Sequence, residues 1–248
     1  MTAIKAIDFY GLAHAILGAR PDSDSDIRLL WESATTQAVD NHTIVTPLLL
    51  VDSKPYWRTR VFPEYKANRP TYRDPLFNDI VKIGLDSSCP KLQVDGLEAD
   101  DLAGLLVHYH NTLAVKPPLY LISTDTDWCQ LVSDYHKVTW VNFGQHLPQV
   151  RHERQVLDWA YKRHDILMTN VTQIVRLKHC LGDTSDNLPP YLGTDLISLQ
   201  GHQWLEQLVL AGYNLTELFS LVKETYEQLT LGIRAGISST LWPYWQVQ

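Results

Sequence analysis

Four stretches of the chain alternate between apolar and polar residues, or run continuously apolar, in the manner of β-strands: AIKAIDF (3–9), TIVTPLLLVD (43–52), LYLIST (119–124) and KVTWVNF (137–143). Between and after them, apolar residues recur at helical spacing in GLAHAILGA, IRLLWESATTQAV, EADDLAGLLVHYHNTLA, TDWCQLV, ERQVLDWAYKRH and VTQIVRLKHCL. Strands that alternate with helices of about ten residues or more are joined by crossovers, so the pattern predicts an α/β fold with a central, mostly parallel, twisted sheet flanked by helices. Strand patterning stops near Asn187, which predicts an α/β domain over 1–186 and a small helical lobe over 187–248. Residues 61–94, punctuated by Pro63, Pro70, Pro75 and Pro90, form a long connection with weak helical signals. Long connections inside compact domains commonly carry function.

With 248 residues, 45% of them hydrophobic, the chain can bury a large core. No apolar run approaches the ~18 residues that span a bilayer, and the opening MTAIKAIDFYGLAHAILGAR lacks the h-region of a signal peptide, so no membrane association and a cytoplasmic location are expected. Cys89, Cys129 and Cys180 are odd in number and without CxxC spacing, which argues for reduced thiols rather than a disulfide framework or a zinc site.

A net charge of −7 would by itself discourage a nucleic-acid partner. The distribution of charge changes that picture. Residues 54–73 carry Lys54, Arg58, Arg60, Lys66, Arg69 and Arg73 against the single acid Glu64, interleaved with Tyr56, Trp57, Phe62, Tyr65 and Tyr72. Such a basic and aromatic segment suits phosphates and stacked bases, although a solvated loop with tucked aromatics has the same composition.

Three of the strand-like stretches end in acids: Asp8, Asp52, and Asp125 with Asp127. Ligands of open parallel sheets bind beyond the carboxyl ends of the strands, so acids there converge although the sequence scatters them. Any one strand-end Asp, taken singly, is more often a helix N-cap or turn former than part of a site. Glu98, Asp100 and Asp101 in GLEADDLAGLL sit where a helix N-terminus tolerates negative charge. GDTSDN adds Asp183 and Asp186, making nine candidate carboxylates with no His or Cys among them. An all-oxygen set selects hard cations such as Mg²⁺ or Mn²⁺, and paired cations of this kind suit phosphodiester hydrolysis.

Taken together, LEADDLAGLL, ISTDTDWCQLV, GDTSDNLP and RVFPEYKANRP, with Asp8 and Asp52, resemble the 5′ nuclease family of flap endonucleases and 5′→3′ exonucleases of bacteria and phages, over roughly residues 3–190. The resemblance implies a PIN-like fold with a helical arch at about 61–94. It implies two Mg²⁺ ions, replaceable by Mn²⁺, one held by Asp8, Asp52, Glu98 and Asp100 and the other by Asp101, Asp125, Asp127, Asp183 and Asp186. Lys66 and Arg69 match the family's YKxNR motif and would meet the scissile phosphate; Arg58, Arg60 and Arg73 would add phosphate contacts. Tyr65 would either stack on a base or pack beneath the arch. The implied substrate is DNA with a 5′ single-stranded end or flap, or an RNA/DNA hybrid, in primer removal or recombination, with a polymerase or single-strand-binding protein as partner.

One departure stands out. After GDTSDN the family continues with a Gly-rich hairpin that holds a monovalent ion such as K⁺ and grips duplex; here the chain reads LPPYLGTDLISLQGHQWLEQL, keeping only Gly193 and Gly201. Pro189 and Pro190 also remove two backbone donors from that turn. Two rival readings follow: a branched-DNA-binding module with little catalysis, and a PIN-type ribonuclease. Nine acids that oppose a module's own ligand speak against the first, and the YKANR segment against the second. His108 and His110, two apart on a helix, point to different faces and do not suggest joint metal ligation.

Overall fold

The computed structural model describes residues 2–39, 44–69, 74–143 and 149–188. The lobe expected over 187–248 lies, from 189 onward, outside these residues, as does Arg73. The chain divides into two compact units, one comprising Met1–Tyr56 with Pro70–Asp158, the other Trp57–Arg69 with the chain from Trp159 onward.

The first unit is built on six strands: β1 (Ala3–Asp8), β2 (Val45–Leu50), β3 (Lys91–Leu92), β4 (Leu119–Ile122), β5 (Val138–Asn142) and β6 (Gln149–Arg151). Their order is β3-β2-β1-β4-β5-β6, parallel except for the antiparallel β5–β6 pair. Four strands fall where the apolar runs predicted them. The two-residue β3 and three-residue β6 escaped the sequence pattern because they are too short to show a period and are selected by pairing with β2 and β5.

Successive strand side chains point to opposite faces. Ala3, Ile7, Leu49, Tyr120, Ile122 and Val141 share one buried cluster with Phe9, Leu12, Ile27, Trp31, Phe77 and Ile80, from helices α1 (Phe9–Gly18), α2 (Asp24–Thr36) and α4 (Pro75–Asp86). The alternate set, Ala6, Leu50, Leu121 and Trp140, is also buried. Helix α5 (Ala99–Thr112) lies against β1 and β2 and buries Leu102, Ala103 and Val107.

Helix α4 is a correction to the weak signal expected in 61–94. Asp74 caps it by accepting from the Leu76 N–H at 3.0 Å, and Pro75 begins it, a position where its missing N–H costs nothing. Gly84 permits its packing, since a β-carbon there would fall 2.5 Å from the Trp31 ring, whose indole N–H reaches the Ile80 carbonyl at 3.1 Å. The prolines read as interruptions are, at this helix, a start signal. TDWCQLV, expected as a helix, forms a 3₁₀ segment over Thr126–Leu131.

In the second unit, α3 (Trp57–Val61) leads into the turns of 62–69, followed after Trp159 by the end of α6 (Glu153–His164), by α7 (Thr172–Leu181) and by a 3₁₀ turn at Thr184–Asp186. Gly182, at φ 71°, ends α7 in a conformation that favours glycine. Among the described residues no helix is long and apolar enough to cross a membrane.

Candidate metal and phosphate site

The strand order reverses direction at β1, which has β2 on one side and β4 on the other. This is the switch point at which open α/β sheets form their ligand crevice. Asp8 ends β1 level with Leu50 of β2, and Ile7 lies opposite Ile122 of β4, so Asp8, Asp52 and the Ser123–Asp127 segment emerge together.

Each acid is pinned by the scaffold. Asp8 caps α1: its Oδ1 accepts the Gly11 N–H at 2.8 Å, and its Oδ2 accepts the Ser123 hydroxyl at 2.8 Å. A β-carbon on Gly11 would come within 2.4 Å of Asp8 Oδ2, so only glycine leaves this carboxylate its place. Although Asp8 keeps a little solvent contact, protein encloses most of it. Burial pushes its carboxyl up to about 6, the Gly11 and Ser123 hydrogen bonds oppose the rise, and the charges of Asp52 and Asp125 add to it.

Asp52 takes the first N–H of α5, from Ala99, on Oδ1 at 2.7 Å and the Tyr56 hydroxyl on Oδ2 at 3.1 Å. Burial, then the charges of Asp52 and Glu98, hold the Tyr56 phenol protonated far above its ordinary range. Glu98 is 1% exposed and forms a capping box with Asp101, whose Oδ2 accepts the Glu98 N–H at 2.9 Å. Asp100 Oδ1 accepts the indole N–H of the fully buried Trp128 at 2.5 Å. Asp125 caps the following 3₁₀ segment through the Asp127 N–H at 2.9 Å, while its own N–H reaches Ser123 Oγ at 3.0 Å.

Capping and site are therefore not alternatives. A carboxylate has about four lone-pair positions, and a helix cap uses one of them. The strand-end acids Asp8 and Asp125 do cap the elements that follow them, and both leave the sheet at the switch point. Asp8 feels both Asp52 and Asp125, and Tyr56 feels both Asp52 and Glu98. Among the described residues no three His, Cys, Asp or Glu side chains are grouped closely enough to hold a metal ion as they stand. The donor set, all oxygen, and the cost of Asp8's charge fit a hard divalent cation.

In the second unit, Asp186 Oδ1 accepts from Arg69 at 2.6 Å, and its Oδ2 takes the Tyr65 hydroxyl at 3.0 Å and lies 3.7 Å from the Lys66 ammonium. The Lys66 N–H reaches the Asp186 carbonyl at 3.0 Å, and Asn187 Nδ2 reaches the Glu64 carbonyl at 2.9 Å. Tyr65 is 5% exposed, packed inside the unit with its hydroxyl on Asp186. Asp183 accepts the Ser185 N–H at 2.8 Å and the Ser185 hydroxyl at 2.5 Å; burial raises its carboxyl, but these bonds and Lys178 at 3.5 Å outweigh that and hold it below the usual carboxylate range. Arg58 stacks over Trp57 with 4.8 Å to the ring centroid, and Arg60 is exposed.

The remaining expectations resolve simply. His108 is exposed, whereas His110 is buried with Nε2 at 2.7 Å from the Pro117 carbonyl, so they do face apart. Cys89 and Cys129 are free thiols, and burial pushes Cys129 up to about 12. Sequence reading missed Gly11, Tyr56, Ser123 and Trp128 as supports of the acids. Ser123 stands inside a motif quoted for its aspartates, and its only signal was its place at a strand end.

The mostly parallel sheet with acids at its switch point is a PIN-like fold. A sequence profile described as the 5′-3′ exonuclease, N-terminal resolvase-like domain matches residues 28–161, and the chain belongs to that family. It is 29% identical over 215 residues to the flap endonuclease of Escherichia phage T5, covering 81% of this chain and 65% of that protein. To the flap endonuclease Xni of Vibrio cholerae it is 30% identical over 154 residues, covering 55% of this chain and 57% of that one. It spans 14% of the DNA polymerase I of Pseudomonas aeruginosa, at 30% identity over 149 residues. The fold matches the T5 D15 protein crystallised with metal ions (TM-score 0.64, 22% identity, 97% of this chain and 84% of that one) and the T5 5′-exonuclease with bound divalent zinc (TM-score 0.65, 22% identity, 99% and 86%). The chain thus spans just under two thirds of its T5 relative's sequence.

Proposed function

We propose that this chain is a Mg²⁺-dependent, structure-selective 5′ nuclease that hydrolyses phosphodiesters at junctions between a 5′ single strand and duplex DNA or RNA-primed DNA. The reading is supported by the register that brings the ends of β1, β2 and β4, with Asp8, Asp52 and Asp125, out at one sheet switch point, where burial makes the charge of Asp8 costly and a cation would offset it. Asp8, Asp52, Glu98, Asp100, Asp101, Asp125 and Asp127 are the oxygen donors for divalent ions, with Mn²⁺ as a substitute. Bound there, such ions supply water activation and stabilisation of developing negative charge.

The protein's own groups do the rest. Gly11 and Ser123 orient Asp8; Ala99 and Tyr56 orient Asp52; Trp128 orients Asp100. Each carboxylate thus meets the substrate region in a fixed direction, without reorganising during reaction. Lys66 and Arg69 bind the phosphate and offset its charge, as charge-assisted hydrogen bonds from ammonium and guanidinium groups do. Arg58 and Arg60 add phosphate contacts along the flanking strand.

The test is cleavage of labelled 5′-flap DNA, 5′-recessed duplex, RNA-primed duplex and single-stranded RNA, each in Mg²⁺ and in EDTA. Mg²⁺-dependent cutting of the DNA or hybrid substrates is expected. Tight binding of these without cutting would support a branched-DNA-binding module, and cleavage confined to single-stranded RNA would support a PIN-type ribonuclease.

A further inference from the structure

We propose that Ser123 is a positioning residue for the acidic crevice, setting its affinity for divalent cations through a hydroxyl that holds the Asp8 carboxylate and the Asp125 backbone at once. The proposal rests on the reading of the crevice as a cation site.

The topology places Ser123 where this is possible. Ile122 pairs with Ile7 across the β1–β4 ladder, so the next residues, Ser123 and Asp8, leave the sheet side by side at the switch point. Ser123 is 0% exposed. Its backbone is fixed from β5: its N–H donates to the Val141 carbonyl at 3.2 Å, and its carbonyl accepts the Trp140 indole N–H at 3.0 Å. The hydroxyl is therefore presented from a rigid three-strand platform rather than from a loop.

The direction of its hydrogen bonds follows from proton counting. A serine hydroxyl has one proton and two lone pairs. The Asp125 N–H, 3.0 Å from Ser123 Oγ, can only donate. The hydroxyl proton is therefore directed to Asp8 Oδ2 at 2.8 Å. With the Gly11 N–H on Oδ1, both Asp8 oxygens are fixed, and the carboxylate cannot rotate away from the crevice. Through the Asp125 N–H the same oxygen fixes the start of the loop that carries Asp125 and Asp127. One side chain thus sets the relative position of acids 117 residues apart in sequence, Asp8 and Asp125. Alanine would leave a largely enclosed carboxylate oxygen and the Asp125 amide without this partner.

The test uses the full chain carrying Ser123→Ala or Ser123→Cys. Mn²⁺ binding, read from the electron paramagnetic resonance of free Mn²⁺, reports affinity without turnover. Partners that orient metal ligands are worth about 10- to 100-fold in affinity. Ser123→Ala is expected to weaken Mn²⁺ binding about tenfold or more, and to lower flap cleavage at limiting Mg²⁺ by a similar factor, with kcat recovering as Mg²⁺ is raised. The thiol of Ser123→Cys, near in size but a weak donor, is expected to fall between. Wild-type Mn²⁺ affinity in a folded Ser123→Ala overturns the proposal. Should the alanine variant not fold, wild-type affinity in Ser123→Cys overturns it instead. Absence of Mn²⁺ binding in the wild type overturns the cation-site reading and this proposal together, whereas binding that survives loss of the hydroxyl overturns this proposal alone.

Discussion

Gly11 and Asp8 are so close that a single methyl group would separate them: a β-carbon on Gly11 would stand 2.4 Å from Asp8 Oδ2, while the Gly11 N–H already donates to Oδ1 at 2.8 Å. Gly11 lies in the first turn of α1, where Gly→Ala would ordinarily stabilise a helix by about 1 kcal/mol. Here the substitution displaces the carboxylate. Gly11→Ala is expected to lower kcat/KM for flap cleavage at least tenfold without the usual gain in stability. Wild-type turnover together with a raised melting temperature would show that the contact does not hold the site.

Asp8 also links the site to stability. Its carboxyl, at about 6 in the folded chain against an ordinary 3.8, binds its proton more tightly folded than unfolded. The group's contribution to stability is thus fully present below about pH 4 and is lost as pH rises through about 6. In metal-free buffer at pH 7.5, Asp8→Asn should raise the unfolding free energy by on the order of 2 kcal/mol, discounted for the solvent contact Asp8 retains. Urea unfolding in EDTA at pH 4 and pH 7.5 checks this. The gain must be larger at the higher pH, and the same variant should lose Mg²⁺-dependent cleavage.

Asp125 is exposed, and its Oδ1 accepts the Asp127 N–H that caps the 3₁₀ segment. Asparagine keeps an oxygen for that cap and removes only the charge. Asp125→Asn is therefore expected to leave the melting temperature within about 2 °C of wild type, since a surface change away from a lost cap costs within about 0.5 kcal/mol. Turnover should fall by orders of magnitude. Near-normal turnover would take Asp125 out of the cation site.

Lys66 takes a left-handed backbone conformation, φ 56°, and its ammonium stands 3.7 Å from Asp186, whereas Arg69 makes the 2.6 Å contact. Alanine at 66 meets the same backbone strain and gives up the longer ion pair and a cation–π contact with the Tyr65 ring, at 4.9 Å, on the partly exposed side of the unit. Lys66→Ala should lower turnover at least tenfold and shift the melting temperature little. Arg69→Ala should affect both, because it removes the closer partner of Asp186. Unchanged kinetics in Lys66→Ala would remove its phosphate role.

Residue type and spacing were enough to place the strands at β1, β2, β4 and β5, to make the sheet mostly parallel, and to mark Asp8, Asp52, Glu98, Asp125 and their neighbours as candidates, because side-chain period and strand-end acids are written locally. Helix α4 was obscured because its starting proline reads equally as a break until Asp74 is seen capping it. β3 and β6 were invisible because short strands are chosen by their partners. Which oxygen of Asp8 faces Ser123, which N–H Asp52 takes from α5, and whether Tyr65 is open or buried were decided only when strands remote in sequence came to lie side by side. The chain itself carries the chemical identity of the acids, whereas their orientation and the cost of their charge arise from neighbours that folding supplies.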